Sequence, residues 1–139
     1  MYRKASLVAA CVLFSGCMTT QLMPPASDFA SQVPAKLNEQ LKRLNDEPAV
    51  PFRGGMQTFH YDEDTALLTL IYRLPNPRWT WGIHKAETEA EIFPKFCKNF
   101  GAAIDHGLGV RAWFAGNGSF ETEVLTPEIC QTHLASAKN

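Results

Sequence analysis

The sequence predicts an α+β domain: a four-stranded, mainly antiparallel sheet made of two β-hairpins, with a long helix packed on one face and shorter helices near the N- and C-terminal ends. Three patterns carry this expectation. Residues 56–61 and 66–74 have strand character and flank a polar loop, Asp62-Glu63-Asp64-Thr65. Residues 89–106 set Ile92, Phe93, Phe96, Cys97, Phe100, Ala103 and Ile104 at helical intervals. Residues 110–125 alternate again on either side of Gly116-Asn117-Gly118, a turn built from residues that accept positive φ. The order β-β-α-β-β makes the two hairpins neighbours, joined by a helix that crosses the sheet.

Taken in order, residues 1–16 read as a targeting segment rather than as structure. Arg3 and Lys4 open it, and residues 5–14 form an apolar run shorter than the roughly 18 residues that mark a spanning helix. The run closes on Leu13-Phe14-Ser15-Gly16-Cys17, which resembles the lipobox of bacterial lipoproteins, with Phe14 where the family usually has Leu, Val or Ile. The resemblance implies cleavage before Cys17 and acylation of its thiol; an ordinary secretory signal or an uncleaved anchor is the plainer reading. Met18 after the cysteine, in place of the Asp that in such lipoproteins retains the product at the inner membrane, implies the outer membrane, lipid-anchored and facing the periplasm.

The formal net charge is −1 and becomes more negative once Arg3 and Lys4 leave. Such a surface argues against nucleic acid as a partner and against a polybasic membrane patch, so membrane attachment falls to the lipid. Residues 17–31 are rich in Thr, Gln, Pro, Ala and Ser without an apolar period and read as a flexible tether. Residues 32–139 then form one domain.

Within it, Pro34 opens a helix whose Leu37, Leu41 and Leu44 make a narrow stripe, suited to the surface of the domain. Residues 45–55, with Pro48, Pro51 and Gly54-Gly55, read as a connector. Residues 66–74 are largely apolar on both faces and so predict a central strand covered by helix on at least one side. The acidic loop 62–65 has consecutive rather than alternating carboxylates and no Gly at the turn, which favours a solvated turn over a calcium loop.

Residues 75–84, Pro-Asn-Pro-Arg-Trp-Thr-Trp-Gly-Ile-His, are the most unusual stretch. The two prolines end the preceding strand. Either the loop is a lid on the core, or Arg78, Trp79 and Trp81, with Trp113, anchor a partner. Thr88 and Glu91 have capping-box spacing ahead of the long helix, Pro94 either starts or kinks it, and Gly107 caps its end. Thr126 and Pro127 open the last helix.

Of four cysteines, Cys11 leaves with the leader and Cys17 takes the lipid, so Cys97 and Cys130 remain to pair in an oxidising compartment. Chain entropy gives such a bridge about 3.7 kcal/mol. His60, His84, His106 and His133 are scattered singly, and no G-x-S-x-G elbow occurs, so neither an enzyme nor a metal or other cofactor is expected.

The whole layout, and in detail Phe96-Cys97-Lys98-Asn99, Gly107, Val110 and the run from Thr126 to Cys130, is similar to the type II secretion pilotins with an α/β body. The resemblance implies a body that binds a short segment of an outer-membrane secretin and a lipid that carries the cargo to that membrane. The expected function is therefore a lipid-anchored periplasmic binding protein that chaperones or scaffolds an envelope protein. The alternative is an envelope lipoprotein that binds or inhibits an exogenous enzyme, or binds a small cell-wall ligand.

Overall fold

The computed structural model describes residues 22–136. The expected leader, Cys17 and the first residues of the expected tether lie outside them. Helix α1 (Ala35–Lys42) runs into a 3₁₀ turn at Arg43–Asp46 and leads to strands β1 (Val50–Phe52), β2 (Gly55–Asp62) and β3 (Leu67–Arg73). Helix α2 (Lys85–Asp105) follows, then β4 (Gly109–Ala115), β5 (Phe120–Glu121) and helix α3 (Pro127–Ser136). The five strands form one sheet in the order β1-β2-β3-β4-β5.

The α+β class is as expected, but the sheet differs from a four-stranded antiparallel one in three ways. First, β3 and β4 are parallel, from Leu67↔Gly109 to Arg73↔Ala115. A helix joining neighbouring strands returns the chain to the end where the first strand began, so the second strand runs the same way. Second, the stretch expected as a connector contains β1, which turns into β2 through Arg53-Gly54 with φ of 46° and 83°. These are the positive dihedrals of a type I′ hairpin, with Arg where Asn or Asp is usual. Third, the strand expected over 119–125 is paired regularly only at Phe120 and Glu121. Beyond them the Thr122 hydroxyl accepts the Ala112 N–H in place of a backbone carbonyl, and Leu125 rather than Val124 lies opposite Val110. One extra residue has been inserted, a bulge that ends the ladder.

The α2 face of the sheet holds the main core: Leu68, Leu70 and Tyr72 of β3 and Val110, Ala112 and Phe114 of β4 meet Phe93, Phe96, Cys97 and Ile104 of the helix. Four rings form a row across this face, with centroids 4.7 Å apart for Phe52–Tyr72 and 4.9 Å for both Tyr72–Phe114 and Phe114–Phe120. Gly55, opposite Phe52, lets the end of β3 approach closely; a Cβ there would lie 2.0 Å from the Arg73 carbonyl oxygen.

The opposite face is also buried, at Leu67, Thr69, Ile71 and Arg111. Its cover comes from the N-terminal segment rather than from a helix. Arg111 donates to the Pro25 carbonyl and to the Thr69 hydroxyl, and the Ser31 N–H donates to the Thr65 carbonyl at 3.0 Å. Phe29 lies against Gly109, where a Cβ would come within 2.4 Å of its ring. From Leu22 onward, therefore, the stretch expected as tether runs along the sheet as an extended strap.

Helix α2 starts a turn earlier than the Thr88–Glu91 box predicts. Thr88 is inside it, with both its N–H and its hydroxyl donating to the His84 carbonyl. Pro94 is also internal, where it withdraws one N–H from the helical ladder. At the other end Leu108 N–H reaches the Ala103 carbonyl and Gly107 N–H the Ile104 carbonyl, the paired bonds of a Schellman cap, with Gly107 at φ 110°. Cys97 on α2 and Cys130 on α3 are joined by the expected disulfide, with Cα atoms 5.5 Å apart.

The sheet edges are partly covered. By antiparallel alternation Val50 and Phe52 direct their backbone groups to β2 and Pro51 faces outward, where it has no N–H to offer. Further along β2, the Asn45 side chain pairs with both the N–H and the C=O of Tyr61, at 2.7 and 3.0 Å. On the far side, the Glu123 N–H beyond β5 donates to the Glu89 carboxylate of α2.

Candidate functional site: two grooves flanking the 75–84 loop

Proline at 75 and 77 forces the chain out of the β3 direction, and Asn76 between them sets the turn. Its side chain accepts the Arg78 N–H and its carbonyl accepts the Trp79 N–H. The loop is then stitched to the β4–β5 turn: Trp81 N–H donates to the Asn117 carbonyl, and the Asn117 side-chain amide donates to the Pro77 carbonyl. Thr80 bridges Asn117 so closely that a Cβ on Gly118 would sit 2.8 Å from its methyl carbon.

The two loop tryptophans part company. In a fully extended run residues 79 and 81 would share a face, but here they line different grooves. Trp81 meets Phe114 edge-on at 5.0 Å and donates its indole N–H to the Ala115 carbonyl at 2.9 Å, so it closes the end of the core. Trp79 is 54 % exposed. Trp113 is half-buried on the strap side of the sheet, its indole N–H on the Ser119 hydroxyl at 3.0 Å.

Two depressions result. On the strap side, Trp79 and Trp113 line a groove of about 460 Å³ together with Leu22, Met56, Arg73 and Ala115. On the helix side, Trp81, Ile83, Ile92 and Phe52 line a smaller one of about 100 Å³, between the loop and α2. Arg53 and Glu91 stand at its rim and pair at 3.3 Å. The four residues expected to form one partner site are thus divided. Trp79 and Trp113 belong to the first groove, Trp81 to the second, and exposed Arg78 lines neither.

Sequence reasoning missed the other walls. Met56 and Arg73 face each other across β2 and β3, which the register alone reveals. Ile83 had a signal, an exposed apolar residue at the end of the Trp-rich run.

Charge is sparse at this end of the sheet. Arg111 is almost fully buried and among the described residues has no carboxylate within ion-pair distance; burial lowers its pKa, and the field of Glu121 partly opposes that. Burial alone pushes the Tyr72 phenol up to about 12. Both groups are structural, Arg111 holding the strap and Tyr72 filling the ring row. No protein-family model, curated protein or solved structure matches this chain.

Proposed function

We propose that this chain is a lipid-anchored adaptor of the bacterial envelope, pilotin-like in its action: acylated at Cys17, it holds a short segment of an envelope assembly subunit against its body. The observation that carries the reading is the helix-side groove. Its floor is aromatic and aliphatic, its rim is the Arg53–Glu91 pair, and this apolar centre with a polar border is the anatomy of a protein-binding hot spot. At about 100 Å³ it falls well below the roughly 300–1,000 Å³ of small-molecule sites and suits a single apolar side chain. The partial cover of the sheet edges supports the same choice, since it disfavours strand addition and favours side-chain pockets as the means of capture.

Ile83 is the residue to test, because it is 39 % exposed and lines this groove without belonging to the core. Mature protein would be used to capture partners from envelope extract, with Ile83→Asp and Trp79→Ala compared with the parent. The expected result is recovery of an assembly subunit such as a secretin by the parent and by Trp79→Ala, with loss of tenfold or more, about 1.4 kcal/mol, for Ile83→Asp. Undiminished capture by a folded Ile83→Asp would remove the groove from the proposal. Recovery of an enzyme in place of an assembly subunit would support the inhibitor alternative.

A further inference from the structure

We propose that the strap-side groove, with Trp79 at its lip, seats on the surface of the anionic phospholipid bilayer to which Cys17 is anchored. The inference rests on the lipid-anchor reading and adds to it an orientation and a second membrane contact.

The first argument is reach. Leu22, the first described residue, lines this groove, and five residue steps separate it from Cys17. Fully extended, they span at most about 18 Å. A folded body of this size is on the order of 30 Å across. An acyl chain on Cys17 therefore holds the body by this end, and the surface around Leu22 meets the headgroups. The strap sets an outer limit on the leash, because from Pro25 the chain is bonded to Arg111.

The second argument is composition. Trp79 is 54 % exposed, Met56 40 % and Met23, next to Leu22, 68 %. An amphipathic indole beside flexible apolar side chains matches the boundary between headgroups and acyl chains. Arg73 lines the groove and exposed Arg78 is on the same loop as Trp79, whereas among the described residues no Asp or Glu lines it. Glu121, the cross-strand partner of Trp113, stands beside the groove on the same face of the sheet without lining it. A chain of negative net charge thus lines this apolar groove with an arginine and no acid, which complements phosphate.

The experiment uses mature protein reconstituted in vesicles of phosphatidylethanolamine and phosphatidylglycerol, with and without brominated acyl chains, and reads tryptophan emission. The parent should be quenched by brominated lipid, Trp79→Phe should lose most of that quenching, and Trp81→Phe should retain it. Replacing phosphatidylglycerol with phosphatidylcholine should weaken the effect in the parent but not in Arg73→Gln/Arg78→Gln. An unquenched parent, or quenching unchanged in Trp79→Phe, overturns the proposal. Mass spectrometry of the same sample reports on the anchor separately. If Cys17 carries no lipid the anchor reading fails, and quenching of that protein on mixing with vesicles then upholds the surface, while its lack refutes it. A photo-crosslinker at position 79 that captures protein rather than lipid in cells would assign the groove to a protein partner and also overturn the proposal.

Discussion

Docking of the strap onto the sheet can be tested by a pair of substitutions. A methyl group added by Gly109→Ala would lie 2.4, 2.6 and 2.9 Å from three ring carbons of Phe29. Something must shift, and overpacking of this kind costs about 1–3 kcal/mol. Phe29 is half-buried, so Phe29→Ala should cost about 2 kcal/mol, some half of the value for a fully buried ring. The informative quantity is their coupling. With the ring gone the added methyl meets nothing, and Gly→Ala within a strand should then be neutral or stabilising by about 0.5–1 kcal/mol. The double variant should therefore be no less stable than Phe29→Ala alone, a coupling of roughly 1–3 kcal/mol. Urea midpoints at constant m would measure it. If the two effects add to within about 0.5 kcal/mol, Phe29 is not the group above Gly109 and the strap does not lie along this face of the sheet. Gly107→Ala is the control: the obstacle is the Gln32 backbone oxygen at 2.1 Å and φ is 110°, so removal of Phe29 should not rescue it.

Three further outcomes are expected. Cys97→Ser with Cys130→Ser opens a loop with a sequence separation of 33 and should lower stability by about 2–5 kcal/mol; thiol titration of denatured, unreduced protein should find neither cysteine free. Asn45→Ala removes both bonds to the Tyr61 backbone and should cost about 1–3 kcal/mol by urea denaturation. Tyr72, whose pKa burial raises to about 12, keeps its proton in the folded state where the unfolded phenol, near 10, has lost it. Stability should be complete below about pH 10 and fall as pH rises towards 12, by on the order of 2–3 kcal/mol. Tyr72→Phe should flatten that part of the profile of unfolding free energy against pH.

Much of the architecture was legible because burial writes itself into residue type. Leu68, Leu70 and Tyr72 on one face of β3, and Phe93, Phe96 and Cys97 along α2, are spaced by the period of their element. What was illegible depended on contacts remote in sequence. Nothing local in Arg53-Gly54 announces a hairpin when the usual Asn or Asp is missing. Polar, proline-rich residues 22–31 look like a tether because an extended strap needs no period of its own; its fixings, Arg111 and the bare surface of Gly109, lie some eighty residues on. Thr88 shows the reverse error, a capping signature overruled because packing lets the helix begin a turn earlier at Lys85. Of the candidate site, the aromatic residues were visible and their grouping was not, since that depends on how the loop is stitched to Asn117, some forty residues on.

The partly covered edge at β1 also has a consequence for molecules crowded together on a surface. Protein anchored in a plane has neighbours in the same orientation at high local concentration, the arrangement in which open sheets zip together edge to edge. With proline outward on β1, an asparagine side chain occupying the backbone groups of Tyr61, and a helix carboxylate on Glu123, zipping of that kind finds few of the N–H groups it needs. For the lipid-anchored adaptor proposed above, close spacing would then raise the capacity of the membrane for a partner without fusing the carriers into fibres.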